Sequence, residues 1–167
     1  ILIGKDGRDI LIGNYGSDTL EGGNGDDILI GTFIRQALYP RRESDVLTGG
    51  EGADQFWLGI SKSAYKIGDN CSSTSSNDNY ALIKDFNPNE GDTINLYSCD
   101  PSNPQEYSLG SSPQNLPLGT AIFSENDLVA IVKGTNGLSL DGNYFNFVQD
   151  YNCPSPVKPV CNKSIPI

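Results

Sequence analysis

The 167-residue chain contains no histidine, no methionine and a single tryptophan. Without histidine there is no Ser-His-Asp triad, no Cys-His nucleophile pair and no imidazole-bound zinc. The nucleophile elbow G-x-S-x-G and the phosphate loop G-x-x-x-x-G-K-[ST] are also missing. A carboxylate pair could in principle serve a glycosidase, but the acidic residues here recur at a fixed interval, and no catalytic residue is assigned. No apolar run reaches the roughly 20 residues of a membrane span. No basic segment followed by an apolar one opens the chain. The first residues are Ile-Leu-Ile-Gly with no initiating methionine, so the chain is read as a processed piece of a longer one.

Basic residues are scarce: 11 against 21 acidic, a net charge of −10. So acidic a surface repels nucleic acid and anionic lipid, and neither is expected as a partner. It attracts cations. The hydrophobic fraction of 37% implies a modest core that needs help from metal or disulfides. Four cysteines, Cys71, Cys99, Cys153 and Cys161, show no metal-type CxxC spacing. They suit two disulfides in an oxidising compartment, with Cys71–Cys99 and Cys153–Cys161 preferred for their proximity in sequence.

Glycine, by contrast, is abundant, and it is periodic. Aligned by nines, the chain reads GKDGRDILI from Gly4, GNYGSDTLE from Gly13 and GGNGDDILI from Gly22. A fourth unit starts at Gly31 and recovers at Ser44–Thr48 after an insertion, residues 33–44, and a fifth, GGEGADQFW, starts at Gly49. Residues 1–3 fit as the tail of a further unit. In each unit six residues, G-x-x-G-x-D, make a turn, and three, x-U-x, make a short strand with its central side chain inward. The inward residues are Leu2, Leu11, Leu20, Leu29, Leu47 and Phe56.

Two units make one coil of a flattened parallel solenoid, with coils stacked about 4.8 Å apart. Stacking brings Asp9, Asp27 and Asp54 into one column and Asp18 and Asp45 into another. Carboxylates that close repel unless a cation lies between them. Carboxylates together with turn carbonyls make an all-oxygen cage, which suits Ca²⁺ better than Mg²⁺. The EF-hand loop is not found.

These units resemble the RTX, or haemolysin-type, calcium-binding repeat, whose consensus is G-G-x-G-x-D-x-U-x. The resemblance covers residues 1–58. It implies a calcium-bound parallel β-roll, with ligands from turn-glycine carbonyls and the sixth-position aspartates. On this chain those are Gly7, Asp9, Gly16, Asp18, Gly23, Gly25, Asp27, Asp45, Gly50, Gly52 and Asp54. Asp45 keeps the carboxylate but lacks the preceding glycine. The later pattern D-F-x(n)-G-D-x-I-x-L, from Asp85 to Leu96, resembles the segment that caps the solenoid in secreted bacterial proteins. Asp85 could join a calcium site there, but a turn or cap role is the favoured reading.

In the inserted segment, Phe33, Ile34, Leu38 and Tyr39 either cover the side of the solenoid, the favoured reading, or touch a partner, and Arg41 and Arg42 are read as neutralising nearby carboxylates rather than binding a ligand. Residues 80–86, 93–97, 120–124, 128–134 and 144–148 alternate like strands, and 100–118 reads mostly as loop. The expected fold is all-β: a roll over 1–58, a small β sheet or sandwich over 59–152 closing one end, and an extended Cys/Pro tail over 153–167.

The function expected is that of a secreted, non-catalytic module that binds calcium and folds on meeting it outside the cell. One reading is a structural subunit of an extracellular surface layer or filament. Its open N-terminal coil would then be covered by a neighbouring subunit or by upstream chain. The other is the C-terminal region of a secreted enzyme, a protease or lipase, or an adhesin module resting on Trp57 and the tyrosines.

Overall fold

The computed structural model describes residues 1–31, 43–58, 80–102, 104, 106–124 and 127–150. They form strands β1 (Leu2–Asp6), β2 (Ile10–Ile12), β3 (Thr19–Asn24), β4 (Ile28–Ile30), β5 (Ser44–Glu51) and β6 (Gln55–Trp57). There follow β7 (Tyr80–Ile83), β8 (Thr93–Ser98), β9 (Tyr107–Ser111), β10 (Gly119–Ser124), β11 (Asp127–Lys133) and β12 (Phe145–Gln149). No helix occurs among the described residues, so none there is long and apolar enough to cross a membrane. Residues 33–42 of the insertion, the tail and three of the cysteines, Cys71, Cys153 and Cys161, lie outside the described residues, and with them both expected disulfide pairings.

The chain winds between two sheets. One runs β1-β3-β5-β7-β11-β10-β9, the other β2-β4-β6-β8-β12. Successive coils pair in parallel, as expected of a β-roll. Leu2 lies beside Leu20, Leu20 beside Leu47, Leu47 beside Ile83 and Ile83 beside Val132. Across the roll, Leu11, Leu29, Phe56, Ile94 and Phe145 line up in the same way. All of these are buried except Leu2, which is half-buried on the first coil. One apolar residue per strand therefore suffices for a continuous core, because each leucine is covered above and below by the next coil.

The two sheets are not built alike. β2, β4 and β6 have the expected three residues, but β1, β3 and β5 run on into the turn, with Gly23 paired to Gly50 and Asn24 to Glu51. Strands β7 and β8 add a further coil directly onto β5 and β6. The C-terminal strands then extend both sheets: β11 joins β7 in parallel, a hairpin returns to β10, and β9 pairs antiparallel with β10.

Strand β9 falls within the segment read as loop. Its Pro- and Ser-rich surroundings hide the alternation, and what makes it a strand is pairing with β10 and burial of Tyr107, whose hydroxyl donates to the Tyr97 carbonyl at 2.6 Å. Phe86 and Tyr144 fill the end of the roll, Phe86 edge-on to Phe56 at 6.2 Å and to Tyr144 at 5.9 Å.

Candidate metal centre

Each sixth-position aspartate lies where a turn meets a strand, so its backbone is held by the ladder, and from the second coil on its carboxylate reaches back to the coil before it. The result is a chain of identical contacts. The N–H of Asp9 donates to Asp27 Oδ1 at 2.8 Å, and the N–H of Asp27 to Asp54 Oδ1 at 2.9 Å. The N–H of Asp54 donates to Asp92 Oδ1 at 2.9 Å. On the other edge the N–H of Asp18 donates to Asp45 Oδ1 at 2.9 Å. Both expected columns are present, and Asp45 joins Asp18 although no glycine precedes it. The first column is one member longer than expected. Asp92 was legible in principle, since it precedes Thr93-Ile94-Asn95 as Asp54 precedes Gln55-Phe56-Trp57; the missing x of G-x-D concealed it.

The second carboxylate oxygen is the informative one. Oδ2 of Asp9, Asp18, Asp27 and Asp54 is buried and has no hydrogen-bond partner. Asp27 and Asp54 are 1% and 0% exposed as whole residues. A buried carboxylate oxygen without a donor is costly, and buried charges are found paired or on metals. Other acceptors crowd the same places. A methyl on Gly4 would stand 2.5 Å from the Gly22 carbonyl oxygen and 2.6 Å from Asp9 Oδ2. A methyl on Gly13 would stand 2.5 Å from the Gly31 carbonyl and 2.9 Å from Asp18 Oδ2. One on Gly22 would meet Asp27 Oδ2 and the Gly49 carbonyl. These first-position glycines are thus bare because the carboxylate of their own unit and a carbonyl from the next coil converge there. Gly22, Gly31 and Gly49 contribute oxygens that sequence reasoning did not single out.

The expected turn glycines take a second stack. The carbonyls of Lys5 and Gly7 point at Gly23 and Gly25, and those of Gly23 and Gly25 at Gly50 and Gly52. Gly16 sits on the opposite edge with Asp18, at φ +104°. Among the described residues no three His, Cys, Asp or Glu side chains gather as a metal cluster would require. The oxygens come as carboxylates spaced one coil apart, interleaved with carbonyls, and that donor set fits a hard cation and not zinc.

The column is electrostatically loaded. Burial, and then the carboxylates of Asp92, Asp27 and Asp85, push Asp54 from 3.8 up to about 6, against the lowering effect of the Asp27 N–H. Burial likewise raises Asp92, helped by Asp85 and Glu90. A carboxyl with a raised folded-state value binds its proton more tightly folded than unfolded. The metal-free fold therefore gains stability as pH falls from about 6 towards 4, and loses it as pH rises through about 6. A cation must displace that proton, so divalent-ion midpoints are expected to rise between pH 7.5 and pH 5. Titrations at three pH values check this, and a pH-independent midpoint would remove Asp54 from the site.

Residues 2–33 and 42–60 match the family model for the RTX calcium-binding nonapeptide repeat, in four copies. No curated protein matches the chain.

Proposed function

We propose that this chain, an RTX calcium-binding repeat protein through residues 2–60, couples its own folding to calcium and serves as a non-catalytic structural module outside the cell. The proposed ligands are Asp9, Asp18, Asp27, Asp45 and Asp54, with the carbonyls of Gly7, Gly16, Gly23, Gly25, Gly50 and Gly52. The carbonyls of Gly22, Gly31 and Gly49 are added from the geometry. The observation that carries the proposal is the set of buried Oδ2 atoms with no donor.

Bound calcium supplies the positive charge that such stacked acceptors lack. Everything else is done by the chain. From the second coil on, each aspartate of a column spends Oδ1 on the N–H of the coil before it, which fixes the spacing of the coils. It holds Oδ2 in the gap, and the bare glycines let carbonyls enter the same space. Extracellular calcium modules bind with Kd of roughly 10⁻⁴ to 10⁻³ M, so such a chain stays open in the cytosol and closes after export.

The structural role is supported by apolar side chains left exposed on the first coil. Strands β1 and β2 form the edges of both sheets, and Ile3 and Ile10 stand 57% and 66% exposed there. Unpaired edges with apolar side chains are normally covered, here by a neighbouring subunit or by upstream chain. Sedimentation during a calcium titration tests the role. Assemblies that grow in the same step as folding are expected. A compact monomer at saturating calcium would instead favour the C-terminal region of a larger secreted protein, such as a protease or lipase. The adhesin reading has less support: Trp57 is half-buried, 5.9 Å from Tyr97 and bonded to Gln55.

A further inference from the structure

The coil from Lys84 to Asp92 continues the stack but handles its carboxylates differently. Asp9, Asp18, Asp27 and Asp54 each leave one buried oxygen without a donor. Asp92 leaves none. Its Oδ1 accepts the Asp54 N–H at 2.9 Å and its Oδ2 the Asn87 N–H at 2.8 Å. Asp85 is likewise complete, taking the Gly49 and Gly50 N–H groups on its two oxygens, both at 3.0 Å.

We infer that this coil closes the ion ladder without an ion: at Asp92 and Asp85, the chain's own N–H groups stand where the repeat aspartates need a cation. The inference rests on the calcium reading above and adds a limit to it, since the ladder of sites ends at Asp54. The local turn explains how. Asn87 is held by its own turn: its side-chain oxygen accepts the Asn89 N–H at 3.2 Å and its carbonyl the Glu90 N–H at 3.1 Å. That leaves the Asn87 N–H aimed back at Asp92. Asp85, at the place of a first-position glycine in the stack, supplies two acceptors to Gly49 and Gly50, where the repeats above place only backbone. Carboxylates satisfied by N–H donors form strong charge-assisted bonds and need no metal.

Two kinds of aspartate therefore share one column, and asparagine separates them. Asparagine offers one acceptor and one donor. At Asp92 or Asp85 either orientation turns one accepted N–H into a donor–donor contact. At Asp27 the Oδ1 contact survives, and only the acceptor without a partner is lost. The test counts bound calcium by native mass spectrometry and follows urea unfolding at saturating calcium. Asp92→Asn and Asp85→Asn are expected to lower the folded-to-unfolded ratio about tenfold with the ion count unchanged, whereas Asp27→Asn loses at least one ion. An ion lost from folded Asp92→Asn or Asp85→Asn overturns the inference.

Should those variants fail to fold, hydrogen exchange on the unsubstituted calcium-loaded chain decides. The amides of Asn87, Gly49 and Gly50 are expected to exchange as slowly as that of Ile94, and rapid exchange there overturns the inference. An unsubstituted chain that binds no calcium overturns the underlying calcium reading, an outcome distinct from an ion lost on substitution.

Discussion

Chelating calcium with EGTA is expected to abolish most of the far-UV β signal of residues 1–58, and millimolar calcium to restore it. Magnesium at the same concentration is expected to fail. The reason lies in the columns. Three inter-coil gaps, Asp9–Asp27, Asp27–Asp54 and Asp18–Asp45, each bring together carboxylates linked by one N–H contact. With no cation, each gap sets negative charge against negative charge and leaves a buried acceptor unmet. With calcium at about 10 mM and Kd of roughly 10⁻⁴ to 10⁻³ M, each site adds about 1.4–2.7 kcal/mol by mass action. Three sites then add about 4–8 kcal/mol, comparable to the whole stability of an ordinary domain. Magnesium fails because its small octahedral shell does not tolerate carbonyls and carboxylates at irregular spacing. A β signal that persists in EGTA, in a chain shown to hold no ion, would mean that the columns do not control the fold.

The second large effect is expected from Gly25→Ala, with Gly7→Ala as its control. The two glycines have the same backbone, φ +121° and +120°. An alanine at either suffers conformational strain of roughly 1–3 kcal/mol. Their surroundings differ. Beyond Gly7 nothing lies within 4 Å, because it belongs to the first coil. A methyl on Gly25 would run into the Gly7 carbonyl, and that carbonyl cannot retreat, since the Gly7 N–H is bonded to the Asn24 carbonyl at 2.8 Å. Gly25→Ala must therefore spread the coils and disturb the carbonyls aimed into the gap. The calcium midpoint is expected to rise at least tenfold for Gly25→Ala and several-fold less for Gly7→Ala. Equal shifts would mean that backbone conformation alone matters, and that close approach of the turns does not.

Gly7 and Gly25 hold the same place in the nine-residue frame, and nothing in the frame distinguishes them. Their difference is purely one of neighbours. Asp27 and Asp92 make the same point. Both precede a strand with an inward isoleucine or leucine, yet one is left with an acceptor to fill and the other is completed by Asn87. That distinction depends on a turn, five residues back along the chain, that aims the Asn87 N–H at Asp92.

What the sequence by itself determined is the roll: its period, its inward leucines, its two aspartate columns and their preference for a hard oxygen-ligated cation. These are local and repeated, so each unit restates the same physical requirement and the errors of any one unit are corrected by the next. The tertiary structure alone decided where the ladder ends, which carbonyls join each gap, and that β9 pairs with β10 although its surroundings are rich in proline and serine. Those features depend on single contacts between distant segments, and a contact made once leaves no period in the chain.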